Sequence, residues 1–285
     1  MHFVKTDAGA ATRAALAFFR YNECMAYLLQ NKIVFITGAS SGIGEATAHS
    51  FAAAGARLLL CARRMDRLER LQADLLAAGA VAVHIFALDV SERKAVAEAI
   101  ASLPAEWKAI DILVNNAGLS RGLSKLQEDD IDNWDEMIDT NVKGLLYVTR
   151  AVVPGMVERG SGHVISMGSV AGHITYANGA VYCASKAAEK SISEGLKLDL
   201  MGTPVRVTSI DPGMVETEFS AVRFRGDTAR AEKVYQNITP LTAADVADAI
   251  LWAATRPAHV NIHTVVMTTI DQGNSVTFYR HDPKS

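Results

Sequence analysis

The sequence has little of the chemistry that marks a disulfide-bonded, metal-binding or membrane-spanning protein. Cysteine occurs only at Cys24, Cys61 and Cys183, too few and too isolated for a disulfide framework or a zinc site. The histidines are scattered, with no pair at ligand spacing beside an acidic residue. No apolar run approaches the roughly 18–20 residues that span a bilayer. These absences predict a protein without a metal and without a membrane partner.

A charge excess of either sign is missing too. The chain has 28 Lys and Arg against 31 Asp and Glu, a net charge of −3. This balance gives no electrostatic reason to expect nucleic acid or an anionic membrane as partner. Hydrophobic residues make up 49% and charged residues 21%, which is typical of a globular protein. We therefore expect a cytoplasmic globular protein with either one large α/β domain or two small domains.

The segment before Asn31 is the least informative part of the chain. Its longest apolar run, residues 14–19, is shorter than the roughly 7–15 residues of a signal-peptide core. Met25 precedes "AYLLQNKIVFITGAS", which would be a natural beginning for a domain. We expect residues 1–24 to be a poorly ordered extension and residues 25–285 to form the domain.

From Lys32 onward, short runs rich in β-branched residues alternate with longer amphipathic stretches. The short runs predict buried strands at "KIVFIT", "ARLLLCA", "VAVHIFALD", "IDILVNNAG", "GHVISMGS", "VRVTSIDPG" and "HTVVMTTI". The longer stretches predict helices at "GEATAHSFAAAG", "MDRLERLQADLLAAG", "SERKAVAEAIASL", "DNWDEMIDTNVKGLLYVTRAVV", "AVYCASKAAEKSISEGLKLDLM" and "TAADVADAILWAA". Gly55 and Gly79 are predicted to end the first two helices, and Ser91 and Thr242 to cap later ones.

Strand–helix alternation of this kind predicts right-handed crossovers and a parallel sheet with helices on both faces. No linker rich in Pro, Gly or Ser divides the chain. We therefore predict the α/β class, with a single doubly wound Rossmann-type domain and a seven-stranded parallel sheet. Residues 216–240 are polar and long for a connection. Because long excursions usually serve as lids or binding segments, we predict that this one lies on the substrate side.

A glycine-rich turn follows the first predicted strand in "VFITGASSGIGEA". Gly38, Gly42 and Gly44 permit a tight turn and a close approach of backbone to ligand. The helix that follows offers free N–H groups to a pyrophosphate. A simple flexible turn is the alternative, but the strand–turn–helix context favours a phosphate site.

The end of the second predicted strand indicates the type of dinucleotide. An acidic residue about 20 residues beyond the glycines would hold the adenosine ribose of NAD. This chain has Arg63 and Arg64 there, with no acid until Asp66. Guanidinium groups bind a 2′-phosphate, which a carboxylate would repel, so the pattern predicts NADP. Two solvated arginines at a helix start are the alternative, although helix starts favour acids.

Tyr182 and Lys186 lie four residues apart in a stretch that is predicted to be helical. Their side chains should share one helix face, with Cβ atoms roughly 5–6 Å apart. Such a pair is either an acid–base catalyst or an ordinary surface pair. Tyr-x-x-x-Lys alone occurs often by chance, so the pair depends on the rest of the chain for its interpretation.

The full set of motifs resembles the short-chain dehydrogenase/reductase family. The motifs appear in the family's order and spacing over residues 32 to about 270, and they are "TGASSGIG" (37–44), "DV" (89–90), "NNAG" (115–118), Asn141, Ser169, "YCASK" (182–186) and "PGMVET" (212–217). The resemblance implies an NADP-dependent oxidoreductase whose site lies at the carboxyl edge of the sheet.

By this resemblance, Tyr182 exchanges a proton with the substrate hydroxyl while hydride moves to or from the nicotinamide. Ser169 would hold the substrate oxygen, and Asn141 would anchor a water in a proton relay. Lys186 would bind the nicotinamide ribose and, together with the oxidised nicotinamide, lower the pKa of the phenol. The ordinary alternatives are a polar helix residue for Asn141, a turn hydroxyl for Ser169 and a solvated side chain for Lys186.

The same resemblance implies the cofactor contacts. Asp89 and Val90 would flank the adenine, and Asn115 would also brace the sheet. The implied cofactor-binding positions are Gly38, Ser40, Ser41, Gly42, Ile43, Gly44, Arg63, Arg64, Asp89, Val90, Asn115, Ala117, Gly118, Tyr182, Lys186, Pro212, Gly213, Val215 and Thr217.

The segment after "PGMVETEF" resembles the NADP-dependent 3-hydroxy acid dehydrogenases, which implies a homotetramer that acts on serine, L-allo-threonine and related acids. A cation near the nicotinamide would bind the substrate carboxylate. Arg223 and Arg225 are candidates by placement, and surface or subunit contacts are the alternative for both. A broader carbonyl reductase for apolar ketones or steroids stays open. So does a cofactor-sensing protein without turnover, although the complete catalytic set counts against it.

Overall fold

Seven parallel strands form the sheet in the computed structural model, which describes residues 29–282. The strands are β1 (Ile33–Thr37), β2 (Arg57–Ala62), β3 (Ala82–Ala87), β4 (Ile112–Asn115), β5 (Gly162–Met167), β6 (Val205–Pro212) and β7 (Thr264–Met267). Their spatial order is β3-β2-β1-β4-β5-β6-β7. The chain therefore reverses its direction across the sheet between β1 and β4, the place where doubly wound folds bind ligands. The predicted fold class is confirmed.

Helices cover both faces of this sheet. One face packs against Gly42–Ala53, Met65–Ala77 and Ala243–Ala254, and the other against Arg93–Ala101, Leu145–Arg159 and Ala180–Asp199. Because helices cover both faces at the centre of the sheet, all five residues of β1 are buried, whereas the edge strands β3 and β7 are only partly buried. Phe51 and Leu60 belong to the core on the first face, whereas Phe35 and Val152 belong to the core on the second.

Two predicted helix caps have different outcomes. Thr242 is confirmed as an N-cap, because its hydroxyl accepts from the backbone of Asp245 and the Asp245 carboxylate accepts from the Thr242 backbone. Ser91 is wrong as an N-cap, since the helix begins at Arg93. The Ser91 hydroxyl instead donates to the Asp89 carboxylate at 2.7 Å. Glu92, one residue later, therefore occupies the N-cap position, without a side-chain hydrogen bond.

The long helix predicted over residues 132–153 is interrupted. It consists of α-helix Ile131–Ile138, a π-helical segment Asp139–Gly144 and α-helix Leu145–Arg159. Such π segments occur mostly as short insertions in α-helices and often at functional sites. Asn141 lies inside this segment, which the 3.6-residue period of the sequence does not reveal.

The excursion at residues 216–240 has structure of its own. It contains helices Phe219–Arg223 and Thr228–Tyr235. Two short parallel strands, Val215–Glu216 and Leu241–Thr242, pair where the excursion leaves the domain and where it returns. The excursion therefore stands as a small helical unit on the carboxyl side of β6. The extension predicted at residues 1–24 lies outside the described residues.

Two features are absent from the described part of the chain. Between residues 29 and 282, no helix combines the length and the apolar character that crossing a membrane requires. In the same range, no three His, Cys, Asp or Glu side chains stand together in a group that could hold a metal ion. Cys61 and Cys183 are buried free thiols.

Candidate active site

A cavity of about 580 Å³ opens at the carboxyl edge of the sheet. Its wall takes residues from the segments that follow all seven strands: Gly38 after β1, Arg63 after β2, Asp89 after β3, Ala117 after β4, Ser169 after β5, Gly213 after β6 and Gln272 after β7. Its size is typical of small-molecule sites. All site residues predicted from the sequence line this cavity except Gly44, Asn115, Asn141 and Arg225.

The glycine turn has the backbone that a phosphate site requires. Gly38 and Gly42 have φ values of +65° and +57°, which side chains larger than hydrogen rarely tolerate. A Cβ on Gly44 would stand 2.4 Å from the Gly38 carbonyl oxygen. Gly44 does not line the cavity, but its missing side chain allows the first turn of the helix to pack closely against the glycine turn. Ser41 precedes the helix without a side-chain cap. The Ser41 side chain therefore does not occupy the backbone N–H groups of the first turn, and these groups can bind an anion.

The two predicted arginines stand beside this turn. Arg64 donates to the hydroxyls of Ser41 at 3.0 Å and Ser40 at 3.3 Å, so its guanidinium lies over the glycine turn. Arg63 is more exposed, and its nearest acid is Asp89 at 4.0 Å. Guanidinium and hydroxyl groups in this arrangement fit the 2′-phosphate of a dinucleotide. The side chains present therefore match NADP.

Glu218 is a rim residue that sequence reasoning missed. It belongs to the excursion, and its carboxylate accepts from Arg67 at 2.7 Å and from Arg64 at 3.4 Å. The hydrogen bond from Arg67 is the main reason that the pKa of Glu218 lies below its ordinary value. The excursion thus contacts the arginine side of the cavity as well as the substrate side.

Tyr182 and Ser169 meet inside the cavity. Tyr182 lies on helix Ala180–Asp199, and Ser169 caps a short turn after β5 by accepting from the Ala171 N–H at 3.1 Å. Burial raises the pKa of Tyr182 to about 12, while Ser169 and Arg223 act in the opposite direction. Burial therefore keeps the phenol protonated in the protein without its cofactor, because desolvation of the phenolate outweighs the charges nearby. The lowering of this pKa by Lys186 together with the oxidised nicotinamide stays a prediction.

Lys186 is buried on the same helix, one turn after Tyr182. Its ammonium donates to the Met167 carbonyl oxygen at 2.6 Å. Burial lowers the pKa of Lys186, and the charges of Glu189 and Asp211 oppose that effect. A Cβ on Gly118 would stand 3.8 Å from the ammonium nitrogen, so this charge faces the cavity wall formed after β4.

Asn141 and Asn115 lie behind the wall. The Asn141 amide donates to the Leu119 carbonyl at 2.8 Å and to Ser185 at 3.0 Å, and its oxygen accepts from the Leu119 N–H at 2.8 Å. Its side chain is therefore occupied in holding the segment after β4. Asn115 donates to Thr149 at 3.0 Å and ties β4 to the helix beneath it.

Asn116, which the motif did not single out, lines the cavity where Asn115 was expected to. Its amide donates to the carbonyl oxygens of Thr37 at 2.9 Å and Gly38 at 3.1 Å. Asn116 replaces Asn115 in the cavity wall because successive side chains of a strand point to opposite faces. Asn115 is the last residue of β4 and its side chain lies in the packed interior, whereas the chain turns at Asn116.

Arg223 is the cation beside Tyr182. Its guanidinium carbon lies 5.8 Å from the ring centre of Tyr182 and 5.6 Å from that of Tyr176. It donates to the Gly122 carbonyl at 2.8 Å and to the Tyr176 hydroxyl at 3.1 Å. Among residues 29–282, no carboxylate is within ion-pair distance of it. A cation held by neutral groups in a cavity suits an anionic ligand.

Arg225 does not reach the site. It pairs with Glu136 at 3.1 Å and donates to Asn133 at 2.8 Å, on the outer side of the excursion. The reason is local: helix Phe219–Arg223 ends, and the chain turns through Arg225 at a φ of 51°. Of the two arginines named as candidates, Arg223 lines the cavity and Arg225 does not.

The segment after β7 supplies wall residues that sequence reasoning missed. Gln272, Ser275, Phe278 and Arg280 all line the cavity. The Gln272 side chain accepts from the Met214 N–H at 2.8 Å and so holds the segment that follows β6. No sequence motif marks these positions, because they reach the cavity only through contacts with segments that are distant in the sequence.

Comparison with known proteins agrees with this geometry. The family model for short chain dehydrogenases matches residues 32–227. NADP-dependent 3-hydroxy acid dehydrogenase YdfG of Escherichia coli K12 is 50% identical over 241 residues, which cover 84% of this chain and 96% of that protein. The chain belongs to the short-chain dehydrogenase family.

Two further similarities concern a second activity and a solved structure. Sulfoacetaldehyde reductase of Chromohalobacter salexigens is 47% identical over 238 residues, 83% of this chain and 93% of that protein. The solved structure of a serine dehydrogenase, described as a closed form complexed with NADP+, matches with a TM-score of 0.82 and 49% identity. That match covers 88% of this chain and all of the other.

Proposed function

We propose that this protein is an NADP-dependent oxidoreductase that interconverts 3-hydroxy acids and the corresponding 3-oxo acids or semialdehydes. Serine, L-allo-threonine and 3-hydroxypropionate represent the substrate class. The observation that carries the proposal is Arg223, a cation without an acidic partner among the described residues, beside the buried Tyr182 in a cavity that also contains the glycine turn. The similarity to named 3-hydroxy acid dehydrogenases and to a serine dehydrogenase supports it.

The cofactor would lie along the carboxyl edge of the sheet. The glycine turn would hold its pyrophosphate, and Arg63 and Arg64 with Ser40 and Ser41 would hold its 2′-phosphate. When bound, NADP supplies or accepts the hydride. Lys186 would bind the nicotinamide ribose, because its ammonium lies in the cavity wall beside Gly118.

Tyr182 would serve as the acid in reduction and the base in oxidation. At neutral pH the phenol holds its proton, because its pKa is raised to about 12. In reduction, it gives that proton to the oxygen of the substrate carbonyl, which the Ser169 hydroxyl holds in place. In oxidation, the phenolate oxygen takes the proton of the substrate hydroxyl. Asn141 contributes by fixing the backbone of Leu119 next to the site, and a relay water would bind in its neighbourhood.

Arg223 would select substrates that carry an anion. In a 3-hydroxy acid, two carbons separate the hydroxyl oxygen from the carboxyl carbon. In the alcohol formed from sulfoacetaldehyde, two carbons separate the hydroxyl oxygen from the sulfonate sulfur. The same guanidinium could therefore bind either anion, and sulfoacetaldehyde reduction is the second candidate function because of the 47% identical relative with that name.

The raised pKa of Tyr182 predicts different pH dependences of kcat for reduction and for oxidation. Reduction needs the phenol, so its kcat should stay level through neutral pH. Oxidation needs the phenolate, so its kcat should rise as the pH becomes alkaline. Initial rates in both directions over the same buffer series check this. An oxidation rate that falls with increasing alkalinity from neutral pH onward would contradict the role of Tyr182.

The cofactor preference should depend on the arginine pair. Replacing Arg63 and Arg64 by alanine is expected to reduce the preference for NADPH over NADH by roughly 10–100-fold for each charge-assisted bond that is lost. The measurement is kcat/KM for both cofactors at saturating substrate. Arg70→Ala is the control, since Arg70 is exposed on helix Met65–Ala77, which follows the arginine pair, and it pairs with Asp66 at 3.0 Å. An unchanged preference in the double variant would refute the assignment.

We propose in addition that the protein is a homotetramer in the cytoplasm. Leu146 and Val157, on helix Leu145–Arg159, are 42% and 39% exposed, and apolar side chains of this kind suit a contact between copies of the chain. Sedimentation equilibrium would determine the number of subunits.

A further inference from the structure

Behind Lys186, outside the cavity, the structure contains buried acidic groups that the proposed chemistry does not use. Glu189 and Asp211 are each 1% exposed. Glu189 follows Lys186 by three residues on helix Ala180–Asp199, so the two side chains share a helix face. Asp211 comes from β6, which lies against this helix. Two carboxyl groups without contact to water are rare unless they are paired.

Both carboxyl groups converge on Gly168. A Cβ on Gly168 would stand 2.0 Å from Asp211 Oδ1 and 2.7 Å from Glu189 Oε2, so the two oxygens point at the same Cα atom. Glu189 Oε1 accepts from Ser193 at 3.0 Å, whereas Oε2 is buried without a hydrogen-bond partner among the described residues. An unpartnered carboxylate oxygen in the interior is costly, but a proton shared with a second carboxyl group removes that cost.

The pair adjoins the catalytic lysine on one side and solvent on the other. Lys186 donates to the carbonyl oxygen of Met167, the residue directly before Gly168. On the other side, Asp211 Oδ2 lies 2.5 Å from His173 Nε2, and the His173 side chain is 29% exposed. The Ser209 hydroxyl also bonds to Asp211. The order from solvent inward is therefore imidazole, carboxyl pair and ammonium.

We propose that Glu189 and Asp211 share one proton behind Lys186, and that this pair, reached from solvent through His173, sets the negative charge that keeps Lys186 an ammonium. Two adjacent carboxyl groups in the interior do not both ionise readily, so the pair favours holding a single proton between them. When that proton leaves, the added negative charge holds the ammonium more firmly. Glu189 is thus a positioning residue for Lys186 and does not touch substrate.

The electrostatics of Glu189 agree with this geometry. Burial is the main effect that raises the pKa of Glu189 to about 7, with Asp211 acting in the same direction and Lys186 in the opposite one. The titratable and charged groups around the pair come from three places in the fold. They are Tyr182 and Lys186 on the helix, Glu189 itself on the same helix, Asp211 on β6 and His173 after β5, while the Ser193 and Ser209 hydroxyls lower the pKa of Glu189.

The first test needs no substrate. A carboxyl group whose pKa folding raises stabilises the fold fully below its ordinary value of 4.5, and this contribution is lost as the pH rises to about 7. Glu189→Gln keeps the neutral form at every pH, so its Tm relative to the wild type should increase over that interval and level off above it. Glu194→Gln, an exposed position on the same helix, should show no such trend.

The second test is kinetic and rests on the proposed function. Without the charge of Glu189, Lys186 should lose its proton at lower pH, so the rise of kcat for 3-hydroxypropionate oxidation toward alkaline pH should level off at a lower pH in Glu189→Gln than in the wild type. A purely structural role would lower the rate by the same factor at every pH. The proposal would be overturned if kcat had the same pH profile in Glu189→Gln and in the wild type, or if their difference in Tm did not vary with pH.

A third variant covers the case in which Glu189→Gln does not fold. His173 is partly exposed, so His173→Gln should be tolerated. Loss of the imidazole should let the carboxyl pair keep its proton to higher pH, which moves the pH-dependent step in Tm upward. An unmoved step would overturn the link through His173. If the wild type does not oxidise 3-hydroxypropionate, the proposed function fails while the Tm series still decides the proton sharing.

Discussion

Tyr182→Phe is expected to lower kcat by about 10²–10⁴-fold, the usual contribution of a positioned general acid. The substitution removes one oxygen from a side chain that is 9% exposed, and the ring keeps its contact with Phe219 at 5.8 Å between centres. The fold and the cofactor site should therefore survive. Steady-state kinetics in the direction of reduction give kcat, and quenching of protein fluorescence gives the affinity for NADPH.

The split between turnover and binding is what makes this variant informative. NADPH affinity should stay within a small factor of the wild type, because the phosphate-binding groups are untouched. Tyr147→Phe, the same chemical change at a tyrosine that does not line the cavity, should retain full activity. A Tyr182→Phe protein with wild-type kcat would exclude the phenol as proton donor.

Arg223→Met should lower kcat/KM for 3-hydroxypropionate by roughly 10–100-fold, the value of one charge-assisted hydrogen bond. Methionine fills much of the same volume, so the ring contacts of Arg223 with Tyr176 and Tyr182 are replaced by apolar packing. The loss should fall mainly on KM if the guanidinium binds the carboxylate equally in the ground state and the transition state.

The methyl ester of the same acid is the matched substrate, because it removes the negative charge and keeps the hydroxyl. Arg223→Met should act on the ester about as well as the wild type does. Arg225→Met serves as the control variant, since Arg225 pairs with Glu136 away from the cavity. If Arg223→Met loses activity equally on acid and ester, Arg223 supports the fold of the site and does not recognise the anion.

The parts of the molecule that follow from local patterns could be predicted. "KIVFIT" and the other buried runs became strands because a sheet covered on both faces needs continuous apolar segments. Gly38 and Gly42 were predictable because only glycine adopts their backbone readily. Thr242 was predictable because its acidic partner stands three residues further along the same turn.

Other features depend on contacts between distant segments. Arg223 and Arg225 are equivalent in the sequence, and only the end of a five-residue helix decides which one faces Tyr182. The π segment around Asn141 and the wall residue Gln272 depend on packing that no local period encodes. The raised pKa of Tyr182 also depends on distant segments, because their packing around the phenol removes it from water.

The most direct measurement is the absorbance of reduced nicotinamide when the purified protein is mixed with NADP+ and 3-hydroxypropionate or L-allo-threonine. The absorbance should grow with both acids, and much more slowly with the methyl ester or with NAD+ in place of NADP+. Equal or faster turnover of uncharged alcohols would instead indicate a broad carbonyl reductase. NADP+ binding without turnover of any of these alcohols would contradict the enzyme proposed for this cavity.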